Sequence, residues 1–238
     1  MFPLRDNVSR THTPVVVWAI IALNVAVYLY QMQLDERSLQ QFLLLRGLVP
    51  ARYFAPDWAA HVGFTTWDLT PFLSNIFLHG GLLHIVMNMW TLWIFGPALE
   101  DRLGPARFAI LYVLAGLIAS FTHALFNATS TAPVVGASGA IAGVLAAYAL
   151  RFPYAWIRVL VLIVIIPLFF SIPAFVFAGI WFLLQVLQGW SALLMPYAAS
   201  NIAWWAHIGG FIAGAGLLLW LEQANRPAVR YNGGPWER

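Results

Sequence analysis

Two residues of this sequence have side chains and surroundings suited to acyl transfer. Ser138 opens an apolar stretch directly after Val135-Gly136-Ala137, and His207 lies early in a later apolar stretch, 203–221. A hydroxyl and an imidazole can serve as nucleophile and general base when their atoms come within about 2.6–3.2 Å. Serines on small-residue faces and lone intramembrane histidines also occur as packing or proton-relay groups, so neither residue is decisive alone.

Glycines accompany both residues at helical spacing. Gly139 and Gly143 leave bare one face of the helix that follows Ser138, and Gly210 and Gly214 do the same for the helix that carries His207. Two bare faces can approach closely, as a serine–histidine hydrogen bond between helices requires. Gly136 gives the turn before the serine conformational freedom. At the start of the helix that follows, free backbone N–H groups favour a developing oxyanion.

A third polar group lies in an earlier apolar stretch. His84 and Asn88 are four residues apart, so a helix places them on one face. Both can donate hydrogen bonds, and together with the backbone N–H of Ser138 they could form an oxyanion hole. The alternative is a structural role, as hydrogen bonds between neighbouring helices.

Composition indicates a membrane protein and limits its chemistry. The 238 residues are 61% hydrophobic and 9% charged, whereas soluble domains are about 25% charged. Cysteine is absent, which excludes disulfides and thiolate chemistry, and no His-Glu-x-x-His motif or intramembrane carboxylate supports a metal or aspartyl protease. We therefore expect no metal and no cofactor. The basic residues are all arginines and are scattered singly, so we expect no nucleic-acid partner.

Hydrophobic runs predict an all-α, polytopic fold with six transmembrane helices. The runs are 14–30, 82–99, 108–124, 138–150, 174–187 and 203–221. The stretch 156–188 is longer than one span needs and contains Pro167 and Pro173. A two-span hairpin there would put Ser138 and His207 on opposite faces of the membrane. We therefore predict one span after Pro173, preceded by a half-embedded interfacial piece.

Arginine placement predicts the orientation of the spans. The positive-inside rule puts both termini in the cytoplasm and the long interfacial segment 33–81 outside. We expect a membrane domain over 14–222 between short cytoplasmic tails, 1–13 and 223–238. The arginines that fall on the inner side are Arg5, Arg10, Arg102, Arg107, Arg151, Arg158, Arg226, Arg230 and Arg238.

Taken together, the motifs resemble the rhomboid family of intramembrane serine proteases, in its compact six-helix bacterial form. The resemblance extends from about Trp67 to about Trp220. The motifs that carry it, in order, are Phe77-Leu78-His79-Gly80-Gly81 with His84 and Asn88, Glu100-x-Arg102-x-Gly104, Gly136-Ala137-Ser138-Gly139, and Ala206-His207-x-x-Gly210-x-x-x-Gly214.

The resemblance implies a Ser138–His207 dyad, an oxyanion hole from His84, Asn88 and Ser138, and supporting roles for His79, Glu100 and Arg102. It implies single-span membrane proteins as substrates, the lipid bilayer as surroundings, a bacterial plasma membrane as location, and a site that opens to the extracytoplasmic side. Two alternatives are a rhomboid-like protein that binds transmembrane clients without cutting them and a histidine-based channel or transporter.

The sequence departs from the family at two places. Ala142 stands where some members have a tyrosine that stacks on the histidine, which leaves open what packs against His207. Asp68 follows Trp67 where members often have an arginine, so the pairing inside that outer loop is also open.

Overall fold

The computed structural model describes residues 1–194, 203–222, 231, 232 and 234, and most of them are helical. The strands are β1 (Phe2–Arg5), β2 (Trp156–Ile163) and β3 (Ile166–Pro173). The helices are α1 (Val15–Gln31), α2 (Glu36–Arg46), α3 (Ala51–Phe54), α4 (Pro56–Val62), α5 (Thr70–Ser74), α6 (Leu82–Leu103), α7 (Pro105–Phe126), α8 (Ser138–Arg151), α9 (Ala174–Leu194) and α10 (Trp204–Leu221).

Each predicted span coincides with a helix, but the number that cross a membrane is a separate question. Among the described residues, α6, α7, α9 and α10 are long and apolar enough to span a bilayer. α1 and α8 are shorter apolar helices, of 17 and 14 residues. Four candidate spans are therefore found, and the six-span count stays a prediction.

The all-α expectation is wrong in one place, where β1, β2 and β3 form an antiparallel sheet in that order. The segment before α9, predicted as a half-embedded interfacial piece, is the hairpin of β2 and β3. Valine and isoleucine are frequent in it, and β-branched side chains favour strands. Pro167 is tolerated because β3 lies at the sheet edge. The hairpin ends in exposed apolar residues, Val164 and Ile165.

The first residues of the chain take part in the fold. The predicted tail 1–13 contains β1, where Phe2 pairs with Leu160 of β2. The Tyr148 hydroxyl donates to Asp6 at 2.7 Å, which joins this segment to α8. The predicted tail 223–238 lies outside the described residues except for 231, 232 and 234.

The long segment between α1 and α6 folds into the short helices α2 to α5 and contacts the loop that precedes α8. Leu48 and Val134 exchange two backbone hydrogen bonds of 2.9 and 2.8 Å. Within the segment the buried Arg52 pairs with Asp68 at 3.0 Å. Asp68, at the position where family members often have an arginine, is therefore the ion-pair partner of Arg52.

The centre of the bundle is α8, in which every residue from Gly139 to Ala149 is buried. α7 and α10 pack against it closely because the contacting residues are small. An alanine Cβ at Gly210 would overlap the carbonyl of Gly139, and one at Gly214 would overlap the backbone of Gly143. The predicted bare faces of these two helices therefore lie against each other.

Replacing Gly214 by alanine should force α8 and α10 apart. Because overpacking costs about 1–3 kcal/mol, we expect Gly214→Ala to lower the thermal unfolding midpoint in detergent by several degrees. Gly216→Ala is the matched control, since a Cβ there meets nothing within 4 Å. Alanine also has the higher helix propensity, so this control should leave the midpoint unchanged or raise it. Equal midpoints for the two variants would contradict the close contact.

Candidate active site

Ser138 is the first residue of α8, and Ala137 occupies the N-cap position. The backbone N–H of a residue in the first turn has no partner within its own helix. The N–H groups here therefore face the loop that leads into α8, at the positive end of the helix dipole. The serine hydroxyl and these N–H groups share one end of a buried helix.

The hydroxyl of Ser138 and the imidazole of His207 are hydrogen-bonded. The distance from Ser138 Oγ to His207 Nε2 is 2.7 Å, within the range for proton transfer between a nucleophile and its base. His207 lies in the first turn of α10 and is buried. The structure thus joins the two residues that the sequence singles out, and the glycine contact between their helices makes the short distance possible.

The other ring nitrogen of His207 contacts a residue that the sequence analysis did not single out. His207 Nδ1 lies 2.7 Å from Oε1 of Gln185, a buried residue of α9. Gln185 is the only amide side chain in the predicted span 174–187. The reasoning that selected His84 and Asn88, polar groups inside an apolar stretch, applies equally to Gln185 and would have found it.

Two tryptophans pack on the His207 ring. Trp181 of α9 lies 5.7 Å from it between ring centroids, and Trp204 meets it edge-on at 6.1 Å. Two further aromatic residues near His207 in the sequence pack elsewhere, Trp205 on Phe126 and Phe211 on Trp181 and Phe182. Tryptophan rings therefore contact His207 in this protein, which has Ala142 where some family members have a tyrosine that stacks on the histidine.

His84 lies beside the turn that precedes the serine. Gly136 has φ +133°, and a Cβ on it would lie 2.8 Å from the His84 ring and 3.6 Å from Ser138 Oγ. Only glycine fits between these two side chains. Asn88 lies one helical turn further along α6, is buried, and its amide nitrogen has no hydrogen-bond partner among the described residues. That nitrogen is a free donor.

Backbone contacts hold the turn at Gly136 in place. Its N–H donates to the backbone carbonyl of Asn75 at 2.9 Å, and the Asn75 side chain donates to Ser120 of α7 at 2.9 Å. Asn75 was not foreseen from the sequence. A small cavity opens beside the serine, and its lining includes Ser120, Ser138 and Ala206.

His79 is part of the support around His84. Its ring lies edge-on to that of His84, with centroids 5.2 Å apart, and neither ring nitrogen has a hydrogen-bond partner in the described part of the chain. Burial, with His84 close by, lowers the pKa of His79 to about 4, so this imidazole is neutral at pH 7. Gln31 at the end of α1 holds the His79 backbone, donating to its carbonyl at 2.9 Å and accepting from its N–H at 3.1 Å.

Glu100 and Arg102 lie at the opposite end of α6 from His84. Glu100 accepts hydrogen bonds from the backbone N–H groups of Val16 and Val17, at 2.9 and 2.8 Å, and so caps α1. Arg102 forms an ion pair with Glu222 after α10, and Arg151 at the end of α8 pairs with the same carboxylate. These contacts join the ends of four helices far from the serine.

Fold and site together define a class of protein, a membrane protein whose apolar helices hold a hydrogen-bonded serine and histidine between them. The chain belongs to the rhomboid family, because the Rhomboid domain matches residues 66–223, more than half of its length.

The chain is similar to several rhomboid proteins whose names describe them as mitochondrial. It is 29% identical over 210 residues to Rhomboid protein 1, mitochondrial, of Saccharomyces cerevisiae, and the alignment covers 86% of this chain and 53% of that protein. It is 30% identical over 208 residues to the human Presenilin-associated rhomboid-like protein, mitochondrial, with shares of 83% and 46%. For Presenilin-associated rhomboid-like protein A, mitochondrial, of Danio rerio, the identity is 35% over 151 residues, with shares of 63% and 36%. The chain thus spans about half or less of each relative's length.

These names correct the predicted location. A bacterial plasma membrane was expected from the resemblance to compact bacterial rhomboids, whereas the relatives are named as mitochondrial proteins. The prediction of a bacterial plasma membrane is therefore wrong. The comparisons support the rhomboid family and not its compact bacterial type.

Replacing Gln31 by alanine should loosen the support of His84. The variant leaves the buried N–H and carbonyl of His79 without partners, and each such group costs about 1–3 kcal/mol. We expect Gln31→Ala to lower the unfolding midpoint in detergent, whereas Gln33→Ala, an exposed glutamine two residues on, should leave it unchanged. An unchanged midpoint in Gln31→Ala would contradict this role.

Proposed function

We propose that this protein is an intramembrane serine endopeptidase that uses a Ser138–His207 dyad. The observation that carries the proposal is the 2.7 Å hydrogen bond between Ser138 Oγ and His207 Nε2, made between two apolar helices. Membership of the rhomboid family supports the same reaction. The substrates proposed are single-span membrane proteins, cut within or beside the bilayer.

In the proposed reaction, His207 Nε2 accepts the hydroxyl proton while Ser138 Oγ attacks the scissile carbonyl. The proton then passes to the leaving amine, and the first product departs from an acyl-enzyme on Ser138. Water, deprotonated by the same nitrogen, attacks the ester and releases the second product. The tetrahedral oxyanion formed in each half is stabilised by the backbone N–H of Ser138 and by His84 and Asn88.

The proposed topology keeps the six spans and places the serine below the membrane surface. At about 1.5 Å per residue, the 14 residues of α8 reach about 21 Å, less than the roughly 30 Å of a hydrocarbon core. Its neighbours cover α8 on all sides, so this helix can be short without facing lipid. A serine at that depth then needs water, and the cavity beside it is lined partly by polar side chains. The names of the relatives favour a mitochondrial membrane as the location.

Ser138→Ala should abolish cleavage of a transmembrane substrate in liposomes while the unfolding midpoint stays close to that of the wild type. A fluorophosphonate probe should label the wild type and the control Ser191→Ala, an exposed serine on α9, but not Ser138→Ala or His207→Ala. Labelling depends on an activated nucleophile. A protein that binds a transmembrane client but takes up no probe would be a non-catalytic rhomboid, and full cleavage by Ser138→Ala would contradict the serine mechanism.

Asn88→Ala should lower kcat by about 100-fold, because removing one oxyanion donor typically costs 10²–10³ in rate. Since the Asn88 amide nitrogen has no hydrogen-bond partner in the described part of the chain, we expect little change in the unfolding midpoint. Met87→Ala, the adjacent exposed position, is the control and should retain the rate. Loss of stability in Asn88→Ala at an unchanged kcat would instead assign the residue to helix packing.

A further inference from the structure

The contact between Gln185 and His207 is the most sharply defined polar interaction near the proposed dyad beyond the dyad itself. Gln185 Oε1 lies 2.7 Å from His207 Nδ1. Both residues are buried, with 7% and 9% of their surface exposed. Between them they join α9 to α10. No carboxylate contacts the histidine among the described residues, so the group behind the ring is a neutral amide.

The neighbourhood of Gln185 determines which end of its amide faces the ring. Its Nε2 donates to the backbone carbonyl of Trp181 at 3.4 Å. A flipped amide would bring its oxygen against that carbonyl, two acceptors facing each other, and would leave the NH₂ group facing His207. The unflipped amide satisfies both ends, so the group that faces Nδ1 is an acceptor.

An acceptor at Nδ1 determines the tautomer of the imidazole. A neutral histidine carries one ring proton, and the amide oxygen requires that proton on Nδ1. Nε2 is then unprotonated and can accept the hydrogen bond from the Ser138 hydroxyl at 2.7 Å. With the proton on Nε2 instead, both Nδ1 and Gln185 Oε1 would be acceptors at 2.7 Å, and the ring could not serve as a base toward Ser138.

We propose that Gln185 is a positioning residue, which holds His207 in the Nδ1–H tautomer and in the rotamer that faces Ser138. The proposal rests on the proposed proteolytic function, in which Nε2 is the general base. In serine proteases with a triad, a buried acid has this orienting role. A neutral amide accepts the same hydrogen bond, and burying it in an apolar bundle costs much less than burying a carboxylate.

The proposal also assigns α9 a share in the site. Gln185 and Trp181, one helical turn apart, both contact His207, the first at Nδ1 and the second by ring packing with centroids 5.7 Å apart. The serine, the base and the residue that orients the base therefore come from three different helices, α8, α10 and α9.

The test compares Gln185→Leu with Gln188→Leu, the same substitution at an exposed glutamine on the same helix. Cleavage of a transmembrane substrate is measured in liposomes, with kcat and KM determined separately, and unfolding midpoints are measured in detergent. Loss of the hydrogen-bond partner that orients a metal-binding histidine typically costs 10- to 100-fold in activity, and we take the same range for this imidazole. We expect about that loss in kcat for Gln185→Leu, a KM within about twofold of the wild type, and wild-type kinetics for Gln188→Leu.

A spectroscopic readout separates positioning from mere packing. In protein labelled with ¹⁵N-histidine, the two ring nitrogens of a neutral imidazole resonate far apart, and His207 is assigned by its absence in His207→Ala. We expect the wild type and Gln188→Leu to show His207 protonated on Nδ1 alone. In Gln185→Leu the two tautomers should be mixed. Gln185→Met, which is close to glutamine in length, is judged by the same criteria if the leucine variant fails to fold.

The outcomes distinguish this proposal from the one it rests on. Wild-type kcat in Gln185→Leu, or a wild-type His207 protonated on Nε2, overturns the positioning role while proteolysis stands. Absence of cleavage by the wild type, or cleavage by Ser138→Ala, overturns the proposed function, and the ¹⁵N spectra still report whether Gln185 determines the tautomer. A loss of kcat together with a mixed tautomer supports the role.

Discussion

The contact between α8 and α10 is the constraint on which the rest of the structure depends. Between apolar helices in lipid, burial of apolar surface gives little net attraction, so association relies on close packing and on hydrogen bonds. Here the packing is backbone to backbone, Gly139 against Gly210 and Gly143 against Gly214. A hydrogen bond tolerates a change of only a few tenths of an ångström, so the Ser138–His207 bond exists only while these glycines touch.

Hydrogen bonds between neighbouring elements explain how the bundle accommodates polar groups. Ser138, His207 and Gln185 form one chain of hydrogen bonds across three helices, and Asn75 links the turn at Gly136 to Ser120. In an apolar interior each of these groups would be costly without its partner. One exception near the serine is Asn88, whose amide nitrogen has no partner among the described residues. A donor held free in this way fits a site that must bind an oxyanion.

Much of this arrangement could be predicted from the sequence. The hydrophobic runs predicted the long helices, and glycines at helical spacing predicted the small-residue faces around Gly143 and Gly214. The β2–β3 hairpin could not be foreseen, because periodicity alone does not distinguish a short apolar strand from a buried helix. Gln185 is a polar residue inside an apolar run, a signal that the sequence carries, but only the fold brings it to a histidine 22 residues away. The bacterial plasma membrane was inferred from the resemblance to compact rhomboids, and motifs shared across a family do not identify the membrane that holds a given member.

The pairing of β1 with β2 has a consequence for the order of folding. Phe2 pairs with Leu160, so β1 can pair only when two segments far apart in sequence have come together. Contacts between such distant residues pay a large loop-closure entropy before they contribute stability, and they form late. Packing of the intervening helices brings the two ends of that loop closer, so the sheet closes after those helices have assembled.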